Sequence, residues 1–277
     1  MPVAPPAVQP VFTCRSVSWQ QSLPALLEAT GLRDRLLSAP RILIKPNLVE
    51  ALVPPITTPV ALIAALVDYV RGCAPTTAEI IVGEGSGARA YDTQHCFQAL
   101  GYEEMAAGKN ISLVDLNLEP LVRKSQKNCH RWPVMHLPRL VFESFLISVP
   151  VLKAHTLAEV TLTMKNMMGL APPAHFQKGG HWKKAAFHDR IQEAIFDLNR
   201  YRTPDFTVLD ATVGMPEAHL WGPTCNPPVN RLAAGFDPVA MDAYGAMLLK
   251  RDWRRIEHIR LAHGCLGLAE PLVLREV

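Results

Sequence analysis

Phe145-Leu146-Ile147-Ser148-Val149-Pro150-Val151-Leu152-Lys153-Ala154-His155-Thr156 decides how this chain is read. The run from Phe145 to Val151 is apolar and short, as expected of a strand buried on both faces. The chain then turns polar within three residues. Thr161-Leu162-Thr163-Met164-Lys165-Asn166-Met167-Met168-Gly169 follows closely and supplies further donors. A buried strand that ends in lysine and histidine is where α/β proteins place their chemistry.

Working outward, the same pattern recurs. Arg41-Ile42-Leu43-Ile44-Lys45 runs into Pro46-Asn47, and Glu79-Ile80-Ile81-Val82 runs into Gly83-Glu84-Gly85-Ser86-Gly87. Asp205-Phe206-Thr207-Val208-Leu209-Asp210 ends in a carboxylate. Helical stretches separate these runs. Thr58 and Pro59 supply an N-cap and a first helical position for a helix to about Arg71. Lys184–Arg200 reads as one amphipathic helix, with Ile191, Ala194, Ile195 and Leu198 on one face. Asp237 caps a helix that begins at Pro238. Strands alternating with helices predict an α/β fold, a mostly parallel twisted sheet flanked by helices in a Rossmann-like three-layer arrangement. Leu121–Lys124 and Val134–Leu137 form a hairpin-like insertion around residues 116–140. The expected organisation is a single domain over residues 1–277.

Composition narrows the function. Charged residues make up 19% and the net charge is +3, with no Lys/Arg-rich run, so nucleic acid is not an expected partner. The longest apolar stretch, Val60 to Val67, is too short to span a bilayer, so no membrane partner is expected. Cys14, Cys73, Cys96, Cys129, Cys225 and Cys265 form no CxxC and no local zinc or iron–sulfur signature. Residues 1–10 carry four prolines and neither a basic nor an apolar signal region. These features predict a cytoplasmic protein, compatible with a homo-oligomer. No metal ligand set and no particular cofactor is specified.

If the strands are parallel, their carboxyl ends share one edge and their polar residues converge on one crevice. Lys45 and Lys153 would then clamp an oxyanion, with Asn47, Glu84 and Ser86 on the facing loops. His155 is a candidate acid/base and Asp210 a candidate base or lysine partner. Lys165, with Thr163 and Asn166, follows the segment that lines the crevice, and His181 reaches it from the loop around Ala171–Gly180. The expected ligand is a small anionic molecule. The glycine run, spaced GxGxG and without a Walker lysine, reads as a tight turn before a helix through Leu100 or as a phosphate cradle.

Ile44-Lys45-Pro46-Asn47-Leu48-Val49, Val149 to His155, Leu162 to Gly169, and Val208-Leu209-Asp210 before a Gly-Pro loop together resemble the DUF362 family over roughly residues 40–250. The resemblance implies a domain of unknown activity, often fused to a ferredoxin-like iron–sulfur module; the cysteines here lack that module's spacing. It also raises Lys45, Asn47, Lys153, His155, Lys165 and Asn166 as site residues. More loosely, the architecture is similar to the N-terminal domain of lactate racemases. The expected function is an enzyme acting on a small anionic metabolite by lysine/histidine acid–base or oxyanion chemistry. A metal or iron–sulfur redox protein and a non-catalytic ligand-binding protein are the alternatives.

Overall fold

The computed structural model of the protein describes residues 6–277. Its strands are β1 (Val11–Arg15), β2 (Arg41–Pro46), β3 (Glu79–Glu84), β4 (Ser112–Asp115), β5 (Leu121–Ser125), β6 (Val134–Pro138), β7 (Phe145–Val149), β8 (Val151–His155), β9 (Glu159–Thr161), β10 (Phe206–Met215), β11 (Arg231–Gly235) and β12 (Leu274–Glu276). The main sheet runs β12-β1-β11-β10-β7-β2-β3-β4, with β8 on β10 and β9 on β8. Pairing is parallel from β10 through β4; β11 is antiparallel to both β1 and β10. The mostly parallel α/β sheet expected from the sequence is the one observed. The hairpin insertion is also present, as the separate β5–β6 ribbon.

Alternate residues of the central strands feed two different cores. Ile42, Ile44, Ile80, Val82, Ile147, Val149, Phe206 and Val208 enter one. Leu43, Ile81, Leu146, Leu209 and Ala211 enter the other. A strand with a period of two and apolar residues on both faces must be covered on both faces. Helices Trp19–Thr30, Val60–Cys73 and Tyr102–Lys109 cover the first; Ile191–Tyr201, Pro238–Leu248 and Glu257–Ala262 cover the second. Each fully buried aliphatic side chain contributes about 1.5–3 kcal/mol by leaving water.

Several boundaries differ from the sequence reading, each for a local reason. Thr58 does not cap the helix after it. Its hydroxyl donates to the Val149 carbonyl and accepts from the Asn47 N–H, and Pro59 takes the N-cap place. Thr58 therefore ties the chain after β2 to the end of β7. Pro46 remains within β2, paired with Val149. The glycine run does not open a helix; the helix Thr93–Ala99 begins only after Asp92, which caps it. The Lys184–Arg200 helix is shorter than expected, because Arg190 adopts a left-handed backbone (φ 54°) and the helix starts at Ile191. Strand β10 does not stop at Asp210 but continues to Met215.

This last difference shapes the site. The first part of β10 pairs with β7 and the second with β8. Pro150 breaks the ladder between β7 and β8, but the Asp210 N–H donates to the Pro150 carbonyl and carries the pairing across. Lys153 and His155 therefore stand on a strand and not on a loop, and β9 places Thr161 beside Lys153.

Candidate functional site

A cavity of about 580 Å³ opens at the carboxyl edge of β2, β3 and β8. Lys45, Asn47, Glu84, Lys153, His155, Lys165 and Asn166, all expected from the sequence, line it. Ser86, Thr163, Asp210 and His181 do not. Lys184, His188, His219, Trp182 and Trp221 line it as well.

The floor is a buried ion pair. Lys45 Nζ lies 2.7 Å from Glu84 Oε1, and both side chains are closed to solvent. The ammonium also donates to the Pro46 carbonyl and to Asn166 Oδ1, at 3.1 and 3.2 Å. The carboxylate accepts from the Leu48 and Gly85 N–H groups at 2.9 and 2.8 Å. A buried charge pair survives only when such extra hydrogen bonds satisfy both partners. Burial draws the Lys45 ammonium below the ordinary lysine range, and Glu84 opposes that fall. Asn166 is held by Ser148 Oγ and the Lys45 carbonyl, and it orients Asn47 through a 3.0 Å bond to its Nδ2. Gly169 passes directly over the pair. A Cβ there would sit 2.1 Å from Glu84 Oε1 and 2.6 Å from Lys45 Nζ.

The turn Thr163–Asn166 presents Lys165, and the buried Asp242 fixes the start of that turn. Asp242 accepts from the Thr163 and Met164 N–H groups at 2.7 and 3.1 Å. Burial pushes the Asp242 carboxyl up to about 8, against the pull of those two donors. Thr163 Oγ1 donates to Thr207 Oγ1, so Thr163 holds the turn to β10 and leaves the cavity to Lys165.

The walls carry three more amines. Lys153 Nζ donates to the Ile56 carbonyl at 2.6 Å. Lys184 Nζ donates to Asn117 Oδ1 and the Ala171 carbonyl. Phe187 anchors its segment by packing on Trp132 and Phe176, at centroid distances of 5.3 and 4.9 Å. Lys165 Nζ makes no hydrogen bond or ion pair among the described residues. Burial lowers all three, Lys153 well below the usual lysine range, Lys165 to about 8 and Lys184 to about 7. Lys165 adds to the fall at Lys153 by like-charge repulsion.

His155 is a donor in this geometry. Its Nδ1 accepts from the Leu157 and Ala158 N–H groups, both at 3.1 Å, which leaves the neutral ring's hydrogen on Nε2. Burial, then Lys165, keeps its pKa far below the normal histidine range. The His219 ring stacks on it at 3.9 Å, and burial lowers His219 to about 4. Four buried polar atoms of lining residues have no partner: Asn47 Oδ1, Thr161 Oγ1, His188 Nδ1 and His219 Nδ1. Unpaired buried polar atoms are costly and are expected where a ligand completes them.

The residues that stay outside have structural work. Ser86 Oγ accepts from Lys183 Nζ and Thr93 Oγ1, binding the glycine run to the loop before Lys184. Asp210 Oδ1 accepts from the Thr212 N–H and hydroxyl, with its pKa raised by burial. The carboxylate that meets a lysine is Glu84, not Asp210. His181 is exposed. Lys184 escapes sequence reading because it looks like the first residue of the amphipathic helix, and His219 because it sits in a loop with no periodicity. Their only signal is a neighbouring tryptophan in a Gly/Pro-rich segment.

Among the described residues no three His, Cys, Asp or Glu side chains stand close enough to hold a metal ion. Cys14, Cys73, Cys96 and Cys129 are buried, and none of the six cysteines lines the cavity. Likewise no helix among the described residues is long and apolar enough to cross a membrane.

The model of the family called domain of unknown function DUF362 matches residues 42–247, well over half of the chain, and the chain belongs to that family. No curated protein matches it. Among solved structures, the lactate racemase apoprotein from Thermoanaerobacterium thermosaccharolyticum is similar over 73% of this chain, at 14% identity and a TM-score of 0.47. This chain spans only 50% of that one.

Proposed function

We propose that this DUF362 member is an enzyme acting on a small anionic metabolite bound in the cavity between β2, β3 and β8. One observation carries the reading: four lysines, Lys45, Lys153, Lys165 and Lys184, line a single cavity with one carboxylate, Glu84. Glu84 is fully engaged by Lys45, which leaves three amines without a counter-charge. An anion among them would restore their protonated forms, because an opposite charge offsets the desolvation that lowers their pKa values. Neutral His155 offers Nε2–H to the same anion, in the manner of an oxyanion donor. Its role is to hold and polarise, and the lysine amines are the groups able to move protons near neutral pH.

Thermal stabilisation by a panel of carboxylates and phosphates, at low and high pH, tests this. Stabilisation by one chemical class, weakening above about pH 8 as the amines lose their protons, is the expected result. A flat response across the panel would reject the reading. Turnover of the stabilising compound separates an enzyme from a non-catalytic binding protein.

A further inference from the structure

The four amines of the cavity are not equivalent. Lys45 is locked to Glu84, Pro46 and Asn166. Lys153 is spent on the Ile56 carbonyl, and Lys184 on Asn117 and Ala171. Lys165 alone faces the cavity with its nitrogen unengaged. Its backbone is fixed at both ends of one helical turn, by Asp242 below and by the hydrogen-bonded Asn166 beside it. A donor kept rigid, half-buried and without a partner is poorly suited to structure. It suits nucleophilic attack, for which an amine needs a free lone pair and a fixed approach.

We propose that Lys165 forms an imine with the carbonyl carbon of a 2-oxo carboxylate. The inference rests on the anionic-ligand reading of this cavity and names its substrate class. The carboxylate end would lie among the remaining amines and the unpartnered Thr161 hydroxyl. The carbonyl oxygen would face the Nε2–H of His155. Lys165 Nζ attacks the carbonyl carbon, forming the C–N bond as the C–O π bond opens. A proton passes from nitrogen to that oxygen to give the carbinolamine. Loss of the oxygen as water, with two hydrogens from the amine, leaves the C=N bond. No oxidant, reductant or metal enters the balance. Uptake of one proton from solvent on the imine nitrogen gives the iminium, whose carbon withdraws electrons from the adjacent bond, the use to which enzymes put a buried lysine with neighbouring cations. Burial, together with Lys45, already brings Lys165 near neutrality, so part of it is unprotonated in solution at ordinary pH.

Reductive trapping tests the assignment. The full chain is incubated with pyruvate, 2-oxoglutarate or phenylpyruvate, treated with borohydride, and mapped by peptide mass spectrometry. The expected result is an adduct on Lys165 from at least one of the three, equal in mass to the oxo acid less one oxygen atom. It should vanish in Lys165→Arg, which keeps the charge but not the nucleophile. No adduct from any of the three, or adducts spread over exposed lysines with Lys165 unmodified, overturns the proposal. Malonate, which has no ketone, is run alongside as a stabilising ligand. Stabilisation by malonate, with no Lys165 adduct from any of the three oxo acids, defeats the imine and leaves the anion site standing; loss of both defeats the two together. Because mapping on the unaltered protein locates the adduct, a Lys165 variant that fails to fold does not affect the outcome.

Discussion

Lys45 and Glu84 stand at the carboxyl ends of two adjacent parallel strands and meet 2.7 Å apart with no access to water. Their pairing is the structural premise of the cavity. Leu48, Gly85, Asn166 and Gly169 are all arranged around it.

Removing one member should therefore hurt more than removing both. Glu84→Gln leaves a buried ammonium without its counter-ion and should lower unfolding free energy by about 3–5 kcal/mol. The double change Lys45→Met with Glu84→Gln should lose clearly less. Denaturant titration of the three proteins measures the difference, and equal losses would mean that the pair is not the buried unit described.

Gly169→Ala probes the same floor from above. The added methyl would fall 2.1 Å from Glu84 Oε1, inside any real contact distance. Overpacking of this kind costs about 1–3 kcal/mol. Denaturant midpoints should shift accordingly, and anion-induced stabilisation should drop with them.

The cavity amines also set a pH dependence of stability. Lys165 and Lys184 are lowered to about 8 and about 7, below their unfolded range near 10.5. Between these values the unfolded chain binds more protons than the folded one, so stability rises with pH from about 7 toward 10.5. Each proton of difference gives a slope of about 1.4 kcal/mol per pH unit. Chemical denaturation at pH 7 and pH 9 should show the rise in the native protein. The rise should be smaller in Lys165→Met, which should itself be the more stable protein at pH 7.

His155 should not titrate. Burial and the nearby Lys165 keep the ring neutral, so its imidazole nitrogen resonances should stay those of an Nε2–H tautomer down to pH 5. His155→Asn keeps an acceptor for the Leu157 and Ala158 N–H groups but removes the Nε2 donor. It should fold normally and bind the anion roughly ten- to a hundredfold more weakly. Unchanged affinity would take His155 out of ligand contact.

The layers of the fold were legible because they rest on periodicity. Ile42, Ile44, Ile80 and Val82 alternate with Leu43 and Ile81, and that alternation alone implies a sheet covered on both faces. Lys45, Asn47, Glu84, Lys153 and His155 were legible as lining because they stand at the ends of such strands, and Lys165 and Asn166 because their segment follows closely and resembles the family. Asp210 misled because an apolar run ending in a carboxylate looks like a strand end, whereas β10 continues to Met215 by pairing with β8 beyond Pro150. Thr58 misled because its hydroxyl fits an N-cap and is instead committed to Asn47 and Val149. Lys184 and His219 were hidden because tertiary packing alone brings their loops to the cavity.

Gly85 and Gly169 make contact where side chains would ordinarily stand; a Cβ on Gly85 would lie 2.3 Å from the Gly169 carbonyl oxygen. A Cβ on Gly169 would likewise fall 2.1 Å from Glu84 Oε1 and 2.6 Å from Lys45 Nζ, so a larger residue there must push one of the two charges aside. The closeness of the ion pair is thus set by two bare stretches of main chain as much as by the charges themselves.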